Sequence, residues 1–318
     1  MPGITGMATT YNCPNFVGEL FAASPDDTPF LSAIGGLTGG VPVKSVMFTW
    51  QADDKRKGAG DRQRTEGADA PEGSGVARTQ GHNVVEIHQE KVEVSYTKQA
   101  AVGQVTPATS TVTPLGTQPV QDELAWQLKS AFRSKADDVE LSFISGTYQM
   151  PTDNNTPRKT RGLVEAITTN VIDGSGGPLT EDLVLDLMQK VWESGGIGVS
   201  ETRTVIVGAA LKRALTKIFI KDKGYEEGER NVGGVNLQTF ETDFGRCNIM
   251  LNRCAPAKTL IVTSLDECKP AFLEVPGKGH FFAEPLAKTG ARDAVQLYGE
   301  IGLIYGNEKH HGKLFNLA

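Results

Sequence analysis

Cysteine is scarce: Cys13, Cys247, Cys254 and Cys268 are the only four in 318 residues, and none forms a C-x-x-C pair. That excludes a disulfide framework, and the Cys247–Cys254 spacing fits no common zinc module, so the four read as free thiols in a reducing cytoplasm. Excess positive charge is also missing. Lys and Arg total 32 against 38 Asp and Glu, a formal net charge of −6. A protein built mainly to grip nucleic acid needs net phosphate neutralisation, which this balance does not supply. No apolar run reaches the roughly 18–20 residues that span a bilayer. The opening MPGITGMATT has neither the basic nor the apolar region of a signal peptide. The expectation is a soluble protein made and kept inside a cell.

Catalytic signatures are missing too. There is no G-x-S-x-G elbow, no H-E-x-x-H, no P-loop and no EF-hand loop. The stretch VIVGAALKRAL (205–215) offers one glycine where a phosphate loop needs several, so ordinary strand-to-helix packing is the better account. His82 and His88 lie in strand-like sequence, and His310–His311 lie in a polar tail with their side chains on opposite sides. They read as solvated or satisfied histidines. No catalytic residue, metal ligand or cofactor site is nominated, and the chain is not expected to be an enzyme. The basic cluster PRKTR (157–161) lacks interleaved aromatics and supports no more than incidental backbone contact with nucleic acid.

What the chain has is glycine, 36 residues of it, against roughly 7% in average proteins, which favours turns and sheet corners over a helical bundle. Near the start, Phe16 with Leu20 and Val17 with Phe21 form a short apolar ridge. SPDDTPFLSAIGG then predicts a short helix, with Asp27 or Thr28 as N-cap, Pro29 in the first turn and Gly35 as the stop. VPVKSVMFTW (41–50) reads as a strand with Val46, Phe48 and Trp50 on one face. Its expected partner is HNVVEIHQEKVEVSYTKQ (82–99), where alternation changes parity and predicts a bulge near Gln89–Lys91. Between these arms lies QADDKRKGAGDRQRTEGADAPEGSG (51–75). In it Asp53, Asp54, Asp61, Glu66, Asp69 and Glu72 outnumber Lys55, Arg56, Lys57, Arg62 and Arg64.

Residues 117–148 form the longest helix candidate, opened near Pro119, Asp122 and Glu123 and ended at Gly146. Leu124, Leu128, Phe132, Val139 and Phe143 make its buried stripe, with Lys129, Arg133, Asp137 and Glu140 off it. Beyond PTDNNTPRKTRG (151–162) comes mixed α/β material. A helix is predicted over 179–196 with Thr180 as its cap, and RTVIVGAALKRALTKIFI reads as a buried strand followed by a helix. Six strand-like segments follow between 235 and 304. No internal repeat is present.

The hairpin suggests an assembly. Isolated two-stranded ribbons are marginal in water, and arms carrying Phe48, Trp50, Val94 and Tyr96 would aggregate if left bare. The expectation is that a neighbouring copy covers them, with mixed charge on the tip serving a self-complementary lattice. Lys55, Arg56, Lys57, Arg62, Arg64, Glu66, Phe48 and Trp50 are therefore the candidate inter-subunit contacts.

This order of elements resembles the major capsid proteins of tailed bacteriophages, an α+β fold of the Hong Kong 97 type. GITGMATTYNCPNFVGELFAASPDDTPFLSAIGGLTGG in particular is similar to the N-terminus of capsid proteins from phages of actinobacteria. The resemblance implies an N-terminal arm over 1–40 and an extended β-hairpin loop over 41–100. A peripheral domain with the spine helix 117–148 would occupy 101–162, an axial domain 163–265, and returning peripheral strands with a tail 266–318. It also implies an icosahedral shell of pentamers and hexamers around double-stranded DNA, assembled in the host cytoplasm. Partners would be a separate scaffolding protein, since the arm starts almost at Met1, together with a portal, a decoration protein and non-specific contact with packaged DNA. A lysine–asparagine cross-link, with Lys55 or Lys57 as donor, has no supporting motif. Two rivals stay open: an encapsulin-like nanocompartment shell around cargo enzymes, and an α/β enzyme with an unrecognised site.

Overall fold

The computed structural model describes residues 27–53, 63–69, 75, 78–100, 104–105, 112–113, 122–153, 155–197, 203–222, 228–232 and 235–318. Pro29 opens α1 (Pro29–Ile34) and Gly35, at φ 131°, ends it, as the sequence predicts. Then come β1 (Val41–Val43), β2 (Met47–Asp53), β3 (Arg78–Val84) and β4 (Glu86–Ser95). After α2 (Tyr96–Ala100) and the paired short strands β5 (Gln104–Val105) and β6 (Val112–Thr113) comes α3 (Glu123–Ser145). Asp122 accepts the Ala125 N–H at 3.1 Å at its start, and Gly146 follows its end.

The second half holds α4 (Leu163–Ala166), β7 (Val171–Asp173), α5 (Glu181–Glu193), β8 (Arg203–Val207) and α6 (Ala209–Leu215), which runs on as a π-helix through Asp222. Strands β9 (Gly228–Val232), β10 (Val235–Thr242), β11 (Gly245–Leu251), β12 (Leu260–Ser264), β13 (Lys269–Leu273), β14 (Phe281–Pro285), β15 (Arg292–Ile304) and β16 (Gly312–Phe315) complete it.

The chain divides into two units. The larger comprises 27–89, 134–282 and 298–318. Its centre is a seven-stranded mixed sheet in the order β7-β16-β12-β8-β11-β10-β9. Successive side chains on a strand point to opposite faces. Thus Val205, Val207, Leu260 and Val262 join one core with Val184, Leu187, Met188 and Val191 of α5. Ile206 and Ile261 join the other, with Phe30, Leu31, Val139, Phe143 and Ile144. A sheet covered on both faces needs the near-continuous apolar run that RTVIV supplies. A second sheet runs β1-β13-β15-β14, with β4 also on β15.

The described part of the smaller unit lies within 90–133 and 283–297. There Tyr96 donates its N–H to the Ala291 carbonyl at 3.1 Å, Arg292 pairs with Glu93 at 2.8 Å, and Lys288 with Asp293 at 3.1 Å.

Several expectations need correction. The hairpin is β2 with β3, not 41–50 with 82–99; β4 leaves it for the second sheet. No parity change occurs near Gln89–Lys91. Glu86, His88, Val92 and Val94 all face inward along β4, and the phase breaks instead at Val84–Val85, both buried. Ile87, expected inside, is 48% exposed. Glu86 takes its place because its carboxylate meets His88 at 2.7 Å and accepts the Thr160 N–H at 2.9 Å. Glu140, placed off the buried stripe, is fully buried, and His311, read as a solvated or satisfied histidine, is the satisfied kind, buried with Tyr305 and Thr263 as partners. The ridge at 16–21, Pro119 and Cys13 lie outside the described residues.

Candidate functional site

The hairpin's base is seated on its own chain. Phe48 is 7% exposed and packs with Val85 and Ala271. Trp50 stands edge-on to Tyr305 at 4.8 Å between ring centroids, and its Nε1–H donates to the Gly306 carbonyl at 2.6 Å. Gly81 lies opposite Trp50 in the ladder, and a Cβ there would come within 2.5 Å of the indole. Only glycine lets the ring lie flat across the neighbouring strand.

Asn83 fixes the same strand to the body through three of its four side-chain hydrogen bonds. Its amide donates to the Leu303 carbonyl at 2.8 Å and the Arg161 carbonyl at 3.1 Å, while its oxygen accepts Arg161 N–H at 2.8 Å and Val84 N–H at 2.9 Å. Arg161 also donates to the Tyr305 hydroxyl at 3.2 Å and lies over the Tyr148 ring at 4.5 Å. A cleft of about 540 Å³ opens beside this seat, lined by Thr79, His82, Arg161, Glu165, Glu308 and Lys309 among others. Burial pushes the Glu308 carboxyl up, but the donors of Thr169 and Thr168 outweigh it and hold the group below its ordinary range. Glu267 behaves likewise, with His310 as its main opposing partner. Both carboxylates are committed to fixing the 305–311 loop beneath Trp50.

The candidate contacts therefore separate. Phe48 and Trp50 do not lie bare as expected, because the chain's own Tyr305, Gly306 and Ala271 cover them. Arg64 and Glu66 are exposed. Lys55, Arg56, Lys57 and Arg62 lie outside the described residues. Sequence reasoning missed Asn83, Arg161, Tyr305 and Gly306. Only the pairing of a tryptophan with a strand glycine could have pointed to them.

Among the described residues no group of three His, Cys, Asp or Glu side chains is placed to hold a metal ion. None of their helices is long and apolar enough to cross a membrane. Cys247, Cys254 and Cys268 are free, and burial pushes their thiols up to about 11, 11 and 12, which leaves them unreactive.

With this geometry in place, the likenesses to known proteins are informative. The capsid asymmetric unit of cyanophage A-1(L) superposes with a TM-score of 0.66 at 11% identity, covering 98% of each chain. Mycobacterium phage Cain gives 0.60 at 16% identity over 98% of this chain and 97% of that one. The holo-SrpI encapsulin complex of Synechococcus elongatus PCC 7942 gives 0.62 at 12%, over 96% and 92%. No curated protein sequence matches. The fold is α+β of the Hong Kong 97 type, as in tailed-phage capsids. Over residues 3–318 the sequence matches the model of the SU10 major capsid protein, and the chain belongs to that family of shell-building phage proteins.

Proposed function

We propose that many copies of this chain close into the icosahedral head of a tailed bacteriophage, assembled in the host cytoplasm around a double-stranded DNA genome. The family match across residues 3–318 carries this reading. In it, 1–40 is an arm, 41–100 the extended loop, 101–162 and most of 266–318 the peripheral domain, and 163–265 the axial domain, to whose sheet β16 of the C-terminal stretch also belongs. A separate scaffolding protein, a portal and a decoration protein complete the head. The net charge of −6 suits a wall that touches packaged DNA only weakly. Purified native particles should contain nuclease-protected double-stranded DNA. Particles that hold a protein cargo and no DNA would establish the encapsulin reading, which the shared shell fold keeps in view.

The hairpin tip is proposed to tie neighbouring subunits together, through Arg64 and Glu66 with Lys55, Arg56, Lys57 and Arg62. Every described residue from 63 to 69 is exposed, and the stretch carries charges of both signs. Such contacts are individually weak, and symmetry multiplies them. Deleting residues 55–70 should leave a folded protomer, because the Trp50 and Asn83 anchors lie outside the deletion. Particle yield and heat resistance should fall. Equally robust particles from the deletion variant would dismiss the tie.

A further inference from the structure

The β2–β3 hairpin is a two-stranded sheet, and in an antiparallel pair only alternate residues turn their backbone groups to the partner. Val85 donates its N–H to the Val46 carbonyl opposite at 3.0 Å, which sets the phase of the ladder. Through the register Met47↔Val84 to Asp53↔Arg78, Asn83, Gly81 and Thr79 therefore bond β2. Val84, His82 and Gln80 turn their N–H and C=O groups away from it. This outer edge is closed at one end. The Val84 N–H donates to the Asn83 side-chain oxygen at 2.9 Å, and its carbonyl lies against Gly302 of β15, where a Cβ would meet it at 2.7 Å. Beyond that point the edge is open: among the described residues no backbone hydrogen bond reaches the outward groups of His82 or Gln80. There the cleft of about 540 Å³ begins, lined by residues 79–82 and, from the body, by Arg161, Glu165, Glu308 and Lys309.

We propose that this edge receives an extended segment of a second copy of the chain, which adds a third strand to the hairpin through the N–H and C=O groups of Gln80 and His82. Open edges are normally blunted by proline, lysine or a bulge. The strand RTQGHNV has neither residue, and its ladder runs without a bulge. Its one charge, Arg78, donates across the hairpin to the Gln51 side-chain oxygen at 2.9 Å and does not guard the edge. The edge is thus left competent to pair, and its surroundings select the partner. Glu165 and Glu308 beside it repel a phosphate backbone. Main-chain pairing with a polypeptide needs no charge, and the mixed signs of the cleft suit side chains of both signs. The chain itself carries them, 32 Lys and Arg with 38 Asp and Glu. Because it belongs to a shell-building family, copies of itself are the polypeptides held against it. The inference rests on that assembly and adds a main-chain contact to the side-chain contacts of the tip.

Residue-resolved amide exchange on particles assembled from the purified chain alone tests it. In a lone hairpin protection alternates, with Thr79, Gly81 and Asn83 slow and Gln80 and His82 fast. In the particle Gln80 and His82 should slow to within about tenfold of Gly81. Gln80→Pro removes an outward N–H without touching the bonds to β2, and Gln80→Ala keeps it. The proline variant should give fewer particles of lower heat resistance, and the alanine variant should match the wild type. If the proline variant does not fold, the wild-type exchange pattern decides. Alternation that persists in the particle, equal assembly of the two variants, or protection that appears only after a second protein is added would overturn the added strand. A chain that forms no particles overturns the shell reading along with this one, whereas alternating exchange in intact particles overturns this one alone.

Discussion

Trp50 is held by a hydrogen bond, an edge contact and a missing side chain, and each can be removed separately. Trp50→Phe deletes the donor to the Gly306 carbonyl and leaves that half-buried oxygen short of a partner, at a cost of about 1–2 kcal/mol. Gly81→Ala places a methyl within 2.5 Å of the indole's five-membered ring edge, and overpacking of this kind costs about 1–3 kcal/mol. Phenylalanine lacks the Nε1 edge that the methyl strikes. The double variant should therefore be less destabilised than the sum of the two, by at least about 0.5 kcal/mol in a denaturation cycle. Strict additivity would mean that the ring does not lie across Gly81 in solution.

At the scale of elements, legibility followed periodicity. Of the predicted α3 stripe, Val139 and Phe143 are buried while Leu124, Leu128 and Phe132 are half-buried, Thr180 caps α5 by accepting the Leu183 N–H at 3.4 Å, and the six late segments are β10 to β15. These succeed because apolar spacing records which face an element buries. It fails where a polar residue is buried by a specific partner, since sequence spacing does not reveal that partner. Glu140 reads as surface because it sits off the stripe, and Glu86 and His88 invert the apparent phase of β4 for the same reason. Asn83, the staple between β3 and the body, is the sharpest example. Asn83→Ala strands the Leu303 and Arg161 carbonyls and the Arg161 N–H, for a loss of about 2–4 kcal/mol. Exchange protection should fall first in β2 and β3, which depend on that anchor, while the α5 core should keep its protection. Uniform loss across both would show that the staple does not act locally.

For the whole molecule, two buried groups set opposing pH dependences. His311 donates Nε2–H to the Tyr305 carbonyl at 2.6 Å and accepts from Thr263 on Nδ1 at 2.8 Å, which fits one neutral tautomer. Burial above all holds it below its ordinary 6.5. The unfolded chain then binds the proton more readily, so its stabilising effect is complete above about pH 6.5 and lost as pH falls below it. Glu140 runs the other way. Its carboxyl lies at about 7 in the folded chain against 4.5 when exposed, so the folded state binds the proton more readily. Stability from that group is complete below 4.5 and declines as pH rises to about 7. The two slopes oppose each other below 6.5, and the thermal midpoint of the purified protein should change little from there down towards 5. Glu140→Gln removes one slope, and its midpoint should fall on acidification through that window. His311→Gln removes the other, and its midpoint should rise. If both variants keep the flat wild-type profile, neither group governs the acid response and the balance lies elsewhere in the chain.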